Sequence, residues 1–145
     1  MINFIKFQKT DSPKIKNWLH DDKIGMEFLP TYAKTDDFID LIDFSKRHLW
    51  ILNDSIADIG FFDFEFESPE IGYVAFYISP EYRNRGLGFK VLNQALNLPE
   101  LMLCKKIEAG VENNNKASIK ILEKAGFNYS YTDEDGMLMY DRLFN

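Results

Sequence analysis

The sequence predicts a mixed α/β domain whose largely antiparallel central sheet is flanked by helices. Three observations predict it. Residues 62–67 alternate strictly, with Phe62, Phe64 and Phe66 facing one way and Asp63, Glu65 and Glu67 the other; this is the pattern of a half-buried strand in an antiparallel sheet. Residues 70–78 read as a strand that runs through a glycine-containing loop into a helix. The elements together follow the order β-α-α-β-β-β-α-β-α-β-β, in which most consecutive strands can pair as hairpins.

In chain order, residues 2–7 alternate weakly as a first strand. Ser12-Pro13 opens a helix, with serine as N-cap and proline at the first helical position. Ile15, Trp18 and Leu19 give that helix one apolar face. Residues 25–35, with Pro30 in the middle, read as a loop. A second helix follows Thr35, with Asp36 and Asp37 in its first turn and Phe38, Leu41 and Ile42 on one face. Residues 48–52, Asn53-Asp54 and the segment from Ser55 form a hairpin. After the glycine loop, residues 89–98 place Phe89, Leu92 and Leu96 on one helical face beside Ala95. Pro99 breaks the chain before a strand at 106–112. Residues 115–124 form a short helix closed by Gly126. A terminal hairpin joins 127–132 to 137–143 around Asp133-Glu-Asp-Gly136.

The length of 145 residues corresponds to one domain, 1–145, able to bury about two-thirds of its unfolded surface. Hydrophobic residues make up 46% and charged residues 28%, the balance of a soluble globule, and 13 phenylalanines supply the core. No apolar run is long enough for a membrane span, and the start lacks the pattern of a secretion signal. Cys104 stands alone, which excludes a disulfide or cysteine metal cluster and points to the cytoplasm. The net charge of −6 disfavours nucleic acid as a partner. An acidic surface attracts cationic, amine-bearing molecules, and it also serves plain solubility.

The most informative stretch is Tyr77-Ile-Ser-Pro-Glu-Tyr-Arg-Asn-Arg-Gly-Leu-Gly-Phe-Lys90. A strand–loop–helix junction aims unpaired N–H groups and the positive end of the helix dipole at one point, which suits an anion such as a pyrophosphate. A Cβ at Gly86 or Gly88 would block the approach of that anion or forbid positive φ. Nothing after Gly88 completes the G-x-G-x-x-G dinucleotide pattern, and Phe89 rules out the triphosphate pattern G-x-x-x-x-G-K-[ST]. A glycine turn carrying surface arginines is the plainer reading of these residues alone.

Arg83-Asn-Arg-Gly-Leu-Gly88 after a strand resembles the pyrophosphate loop R/Q-x-x-G-x-G/A of the GNAT family of acyl-CoA-dependent N-acetyltransferases. A second block, Asn115-Lys-Ala-Ser118 followed by Glu123-Lys-Ala-Gly-Phe127, is similar to that family's N-x-x-S/A … E-K-x-G-F segment. The similarity runs over residues 70–127, and the first helix around Trp18-Leu19 resembles the ribosomal-protein and aminoglycoside branches. The resemblance implies acetyl-CoA as cosubstrate and direct acetyl transfer to a primary amine, on a small molecule or a protein N-terminus. It implies that backbone amides of Asn84, Arg85, Gly86, Leu87, Gly88 and Phe89 take the pyrophosphate, with added charge from Arg83 and Arg85. It further implies that the pantetheine arm pairs with Phe76, Tyr77 and Ile78, where a bulge splays the sheet, and that an N–H near Ile78 meets the developing oxyanion. Asn115 would bond the arm or cap its helix, and Ser118 would pack beneath it. The two helices and the loop 25–35, with Met26, Phe28, Tyr32 and Phe38, would wall the acceptor site or fill the core.

The chain departs from the family at two places. A tyrosine that protonates the leaving thiolate often stands four residues beyond Ser118, where this chain has Leu122. Some branches carry a glutamate where this chain has Gly110. Glu108 and Glu112 share the strand face of Gly110 and are the candidate bases; Tyr140, with Tyr129 and Tyr131 behind it, is the candidate acid. His20, His48 and Cys104 read as structural. These departures keep open a competing reading, a non-catalytic acyl-CoA-binding module or sensor. The apolar tail Leu143-Phe144 would either pair with a second subunit, giving a homodimer, or finish the last strand.

Overall fold

The computed structural model describes residues 1–22 and 43–144. The loop 25–35 and the helix expected after Thr35 lie outside the described residues. The described strands are β1 (Asn3–Lys6), β2 (Arg47–Asn53), β3 (Asp58–Ser68), β4 (Ile71–Ile78), β5 (Lys106–Val111), β6 (Asn128–Thr132) and β7 (Leu138–Leu143). They form one sheet in the order β1-β2-β3-β4-β5-β7-β6. Every neighbouring pair is antiparallel except β4 with β5. The α/β class, with its largely antiparallel sheet, is therefore as the sequence predicts.

Alternation along β3 divides the sheet into two unlike faces. Phe62 and Phe64 are fully buried on one face, in a core with Val74, Ile107, Ala109 and Val111. Helices α2 (Leu87–Ala95) and α4 (Lys116–Lys124) cover that core with Val91, Leu92, Ala95 and Leu122. On the opposite face, α1 (Ser12–Asp21) packs Ile15 and Leu19 against Leu49, Ile51, Phe61 and Tyr77. Burying about a dozen such side chains, at roughly 1.5–3 kcal/mol each, is the main favourable term in folding. His48 lies stacked on Trp50 and Phe64, with ring centroids 5.8 and 6.2 Å away, so its role is packing.

Helix boundaries differ from the sequence reading in ways that local chemistry explains. Asp11, not Ser12, is the N-cap of α1, because a 3₁₀ turn at Lys9–Asp11 precedes it and Asp11 accepts the Gln8 N–H at 2.9 Å. α2 begins at Leu87, two residues before the expected Phe89, because Gly86 adopts φ +74° and starts the helix directly after the loop. Pro99 does not merely break the chain but opens a short α3 (Pro99–Met102). At the other end Phe144 N–H reaches Lys105 O at 2.7 Å, extending the last strand.

β3 approaches β4 most closely at Gly60, the register partner of Ile78. A Cβ there would lie 1.8 Å from the Tyr77 carbonyl oxygen, a backbone atom that cannot swing aside. Gly60→Ala is therefore expected to destabilise the domain by about 1–3 kcal/mol in urea unfolding, with the end of β4 displaced.

Candidate functional site

The centre of the sheet is a fork. The parallel ladder between β4 and β5 pairs Ile71 with Lys106, Gly72 with Ile107 and Tyr73 with Glu108, and stops there. β4 nevertheless continues to Ile78 and β5 to Val111. Which backbone groups face the gap follows from β3. Ser79 N–H donates to Ile59 O at 2.8 Å, so the Gly60–Ile78 pair is of the type whose own groups point away from the partner strand. Ile78 and Phe76 therefore direct N–H and C=O into the fork. Tyr77 directs its groups to β3, consistent with the crowding of its carbonyl at Gly60. The bulge expected at 76–78 is absent: β3–β4 pairing is regular from Gly60 to Phe66, and its irregularity falls between Phe66 and Ser68, at the other end.

At the tip of β4 the chain turns through a 3₁₀ segment, Pro80–Tyr82, into the glycine loop. Asn84 (φ +62°) and Gly86 (φ +74°) are both left-handed. Among the described residues, nothing lies within 4 Å of a Cβ built on Gly86. Among the described residues no side chain caps α2, which leaves the N–H groups of its first turn, at Leu87, Gly88 and Phe89, as an arrangement that can take an anion. Gly88 also matters for packing. A Cβ there would meet Ile121 Cδ1 at 2.6 Å, so this glycine lets α2 and α4 touch. Arg85 is exposed and lies over the Tyr82 ring at 5.5 Å.

Arg83 is otherwise engaged. Its Nε donates to Ile78 O at 2.8 Å, and its Nη2 pairs with Asp22 Oδ2. Asp22, 6% exposed at the end of α1, also accepts the Tyr77 hydroxyl at 2.7 Å. Burial first, and then the Asp22 carboxylate, push the Tyr77 phenol far above its ordinary range, so it remains a donor. The guanidinium thus braces the strand end and the loop rather than reaching outward, and Tyr77 belongs to this brace rather than to the fork. Asn115 Oδ1 accepts Ser118 N–H at 3.2 Å, the helix cap anticipated for it.

The half of the α1-side face that α1 does not cover carries the acidic groups. Asp63 is buried and held by Arg47, whose Nε lies 2.7 Å from Oδ1, whereas Glu65 and Glu67 are exposed. The acidic row is thus not a uniform solvated face. Glu108, 8% exposed, lies within hydrogen-bond reach of Glu67 from β5, and Lys106 is 3.8 Å from it. Desolvation, then the Glu108 hydrogen bond and charge, raise the Glu67 pKa above the usual carboxylate range. Tyr73 stands between them on β4, and its hydroxyl accepts the Gly110 N–H at 3.0 Å. Glu112 follows on the same strand face just beyond β5 and is half-buried. Tyr140 is separated from these acids: its register partner is Ala109, and it lies in the core on the α2/α4 side, 6% exposed. The structure therefore brings Glu108 together with Glu67 and Tyr73, but not with Tyr140.

Comparison with known proteins identifies this arrangement. The sequence profile described as Acetyltransferase (GNAT) domain matches residues 2–128. The chain belongs to the GNAT acetyltransferase family. An uncharacterized N-acetyltransferase of Bacillus subtilis, YfmK, is 31% identical over 68 residues, a match spanning 46% of each chain, so less than half of that relative is covered. Spermidine N-acetyltransferase from Vibrio cholerae, solved with CoA and spermine, superposes with a TM-score of 0.81 at 15% identity, covering 98% of this chain and 95% of that one. The aminoglycoside acetyltransferase AAC(6')-Ib, solved with coenzyme A, gives a TM-score of 0.80 at 18% identity over 99% and 95%. These likenesses establish the GNAT fold.

Three groups at this GNAT site escape sequence reasoning. Asp22 lies 61 residues from Arg83 in the sequence and carries no local signal. Arg47 is marked only by its antiparallel register with Glu65, one step from Asp63. Tyr73 is marked only by sharing a face with the acids.

The raised Glu67 pKa has a testable sign. A carboxyl that binds its proton more tightly when folded contributes stability below its unfolded pKa, about 4.3, and loses it as pH rises through the folded value. Glu67→Gln should therefore show a higher Tm than the parent at neutral pH, with the difference vanishing below about pH 4 in thermal scans.

Proposed function

We propose that the protein transfers an acetyl group from acetyl-CoA directly to a primary amine on a cationic small molecule, polyamine-like or aminoglycoside-like in charge. The observation that carries this reading is the fork itself. It offers Phe76 and Ile78 backbone groups between an anion-binding helix end on one side and a set of carboxylates on the other. The residues fit the cosubstrate: the mouth of the loop is open at Gly86, and the first-turn N–H groups of α2 are uncapped. Acetyl-CoA supplies the acetyl group already activated as a thioester. Leu87, Gly88 and Phe89 N–H groups would hold its pyrophosphate with charge from Arg85, and Phe76 would pair with the amide of its arm. Ile78 N–H would donate to the oxygen of the reacting carbonyl. Glu67 and Glu108 would receive the ammonium group and accept its proton, freeing the nitrogen lone pair for attack. A carboxyl with a raised pKa suits that second task better than an ordinary one. The C–S bond then breaks, and the thiolate leaves without a dedicated acid, since thiols ionise near pH 8.5.

The preference for a cationic small molecule follows from the acidic face; a protein N-terminus is the competing acceptor. Relatives named for spermidine and aminoglycosides act on amines of the favoured kind. The buried, unpaired Cys104 fits a reducing compartment, and we place the protein in the cytoplasm. No described helix is long and apolar enough to cross a membrane. One observation favours the non-catalytic reading: Leu122, where an acid often stands, is buried in the core at 4% exposure.

Calorimetric titration with acetyl-CoA tests the cradle, and a thiol-release assay with spermidine, kanamycin and an N-terminal peptide tests the transfer. The parent should bind at micromolar Kd and release thiol with the polycations. Gly86→Glu should weaken binding by about 100-fold or more, equivalent to ~2.7 kcal/mol. Absence of binding by the parent would overturn the whole reading; binding without thiol release by any amine would favour the sensor.

A further inference from the structure

The β4–β5 ladder has a definite next rung, and it is missing. Lys106 N–H bonds to Glu70 O at 3.2 Å. With the Ile71–Lys106, Gly72–Ile107 and Tyr73–Glu108 pairs, this fixes the sequence of bonds along the parallel strands. The bond that would come next is Gly110 N–H to Val74 O, which would create a Val74–Ala109 pair. Among the described residues that pair does not exist. Gly110 N–H donates instead to the Tyr73 hydroxyl at 3.0 Å. The phenol reaches along the sheet from the last paired residue of β4 and takes the N–H that would have continued the ladder.

We propose that Tyr73 is a wedge that holds the fork open, and thereby a positioning residue for the acyl-CoA arm. This rests on the acetyl-CoA reading above. By satisfying Gly110 from the side, the hydroxyl removes the penalty for leaving that N–H unpaired. Val74 O then joins the Phe76 and Ile78 groups that face the gap. The glycine is the matching half of the device. A Cβ at 110 would lie 2.6 Å from the Tyr73 oxygen, and 3.2 Å from both Met137 Cε and Met139 Sδ. Any larger residue would drive the phenol out. The absence of a carboxylate side chain at this position is thus the condition for the wedge. The hydroxyl also stays neutral at physiological pH, because burial foremost, with the nearby acids Asp63, Asp133 and Glu67, raises its pKa against the opposing effect of the Gly110 N–H.

Tyr73→Phe keeps the ring and removes the oxygen. Hydrogen exchange of the Gly110 amide, followed by NMR in the protein alone, should slow by about tenfold or more as the amide finds Val74 O. A through-bond coupling from the Gly110 nitrogen to the Val74 carbonyl should appear. Acetyl-CoA should bind about tenfold more weakly, while Tm holds or rises. A merely structural tyrosine would lose stability without that gain in protection. As a second variant, Gly110→Ala should destabilise the parent more than it destabilises the Tyr73→Phe protein. An unchanged Gly110 amide together with unchanged affinity overturns the wedge. A newly paired amide with unchanged affinity overturns its role in positioning. If the parent itself fails to bind acetyl-CoA, the functional reading fails, while the amide measurement still decides the wedge.

Discussion

Because β3 and β4 pair in unbroken register from Gly60–Ile78 to Phe66–Gly72, every second residue of β4 has its backbone groups committed to β3, and the remainder point toward β5. All else at the site inherits that parity. It sends Phe76 and Ile78 into the fork and Tyr77 away from it, and it sets which N–H of β5 would come next in the ladder. Side chains obey the same alternation, so Tyr73 falls on the acidic face while Val74 is buried in the core at 2% exposure. A slip of one residue would exchange these roles and turn Phe62 and Phe64 out of the core.

The loop depends on that strand end through a second constraint. Ile78 O faces the fork, yet it is occupied, because Arg83 folds back onto it. Arg83 can do so only because Asp22 neutralises it and Tyr77 lies beneath it, with the guanidinium 5.2 Å from the ring centroid. The arginine that a motif reading assigns to the phosphate is thus spent on fixing where the loop leaves the strand. In the proposed function, anion binding falls to the first-turn amides of α2, with Arg85 adding charge. The division is physically sensible: a fixed dipole array loses less entropy on binding than a long flexible side chain does.

Much of this was legible in the sequence, for reasons that can be named. The strand of alternating phenylalanines and acids had to be half-buried, and the structure buries Phe62 and Phe64 as expected. Gly86 was legible because a left-handed turn before a helix demands glycine, and its φ of +74° bears that out. The packing part of Gly88 was not legible, since its neighbour Ile121 lies on another helix and spacing within the loop cannot reveal it. Tyr140 illustrates the same limit. Its chemistry suits an acid, but the register of β7 against β5 places it opposite Ala109, and that pairing is a long-range fact. Asp22 and Tyr73 went unread because each acts through a partner far along the chain, where no periodicity points.

The two departures from the family pattern have different physical meanings. Leu122 is a full substitution: an apolar side chain fills core volume, and the proton it cannot give must come from elsewhere or not be needed. Gly110 is not a loss, because the space a side chain would take is filled by the Tyr73 hydroxyl. With that oxygen in place, the carboxylates proposed to receive an amine stand on neighbouring positions. Glu67 and Glu108 do stand there, one on each side of β4, close enough that their charges oppose each other. Two like charges held together favour a bound cation. In the proposed reaction, an ammonium group binding beside them would relieve the repulsion that raises the Glu67 pKa, so acceptor binding and the proton affinity of Glu67 would be linked.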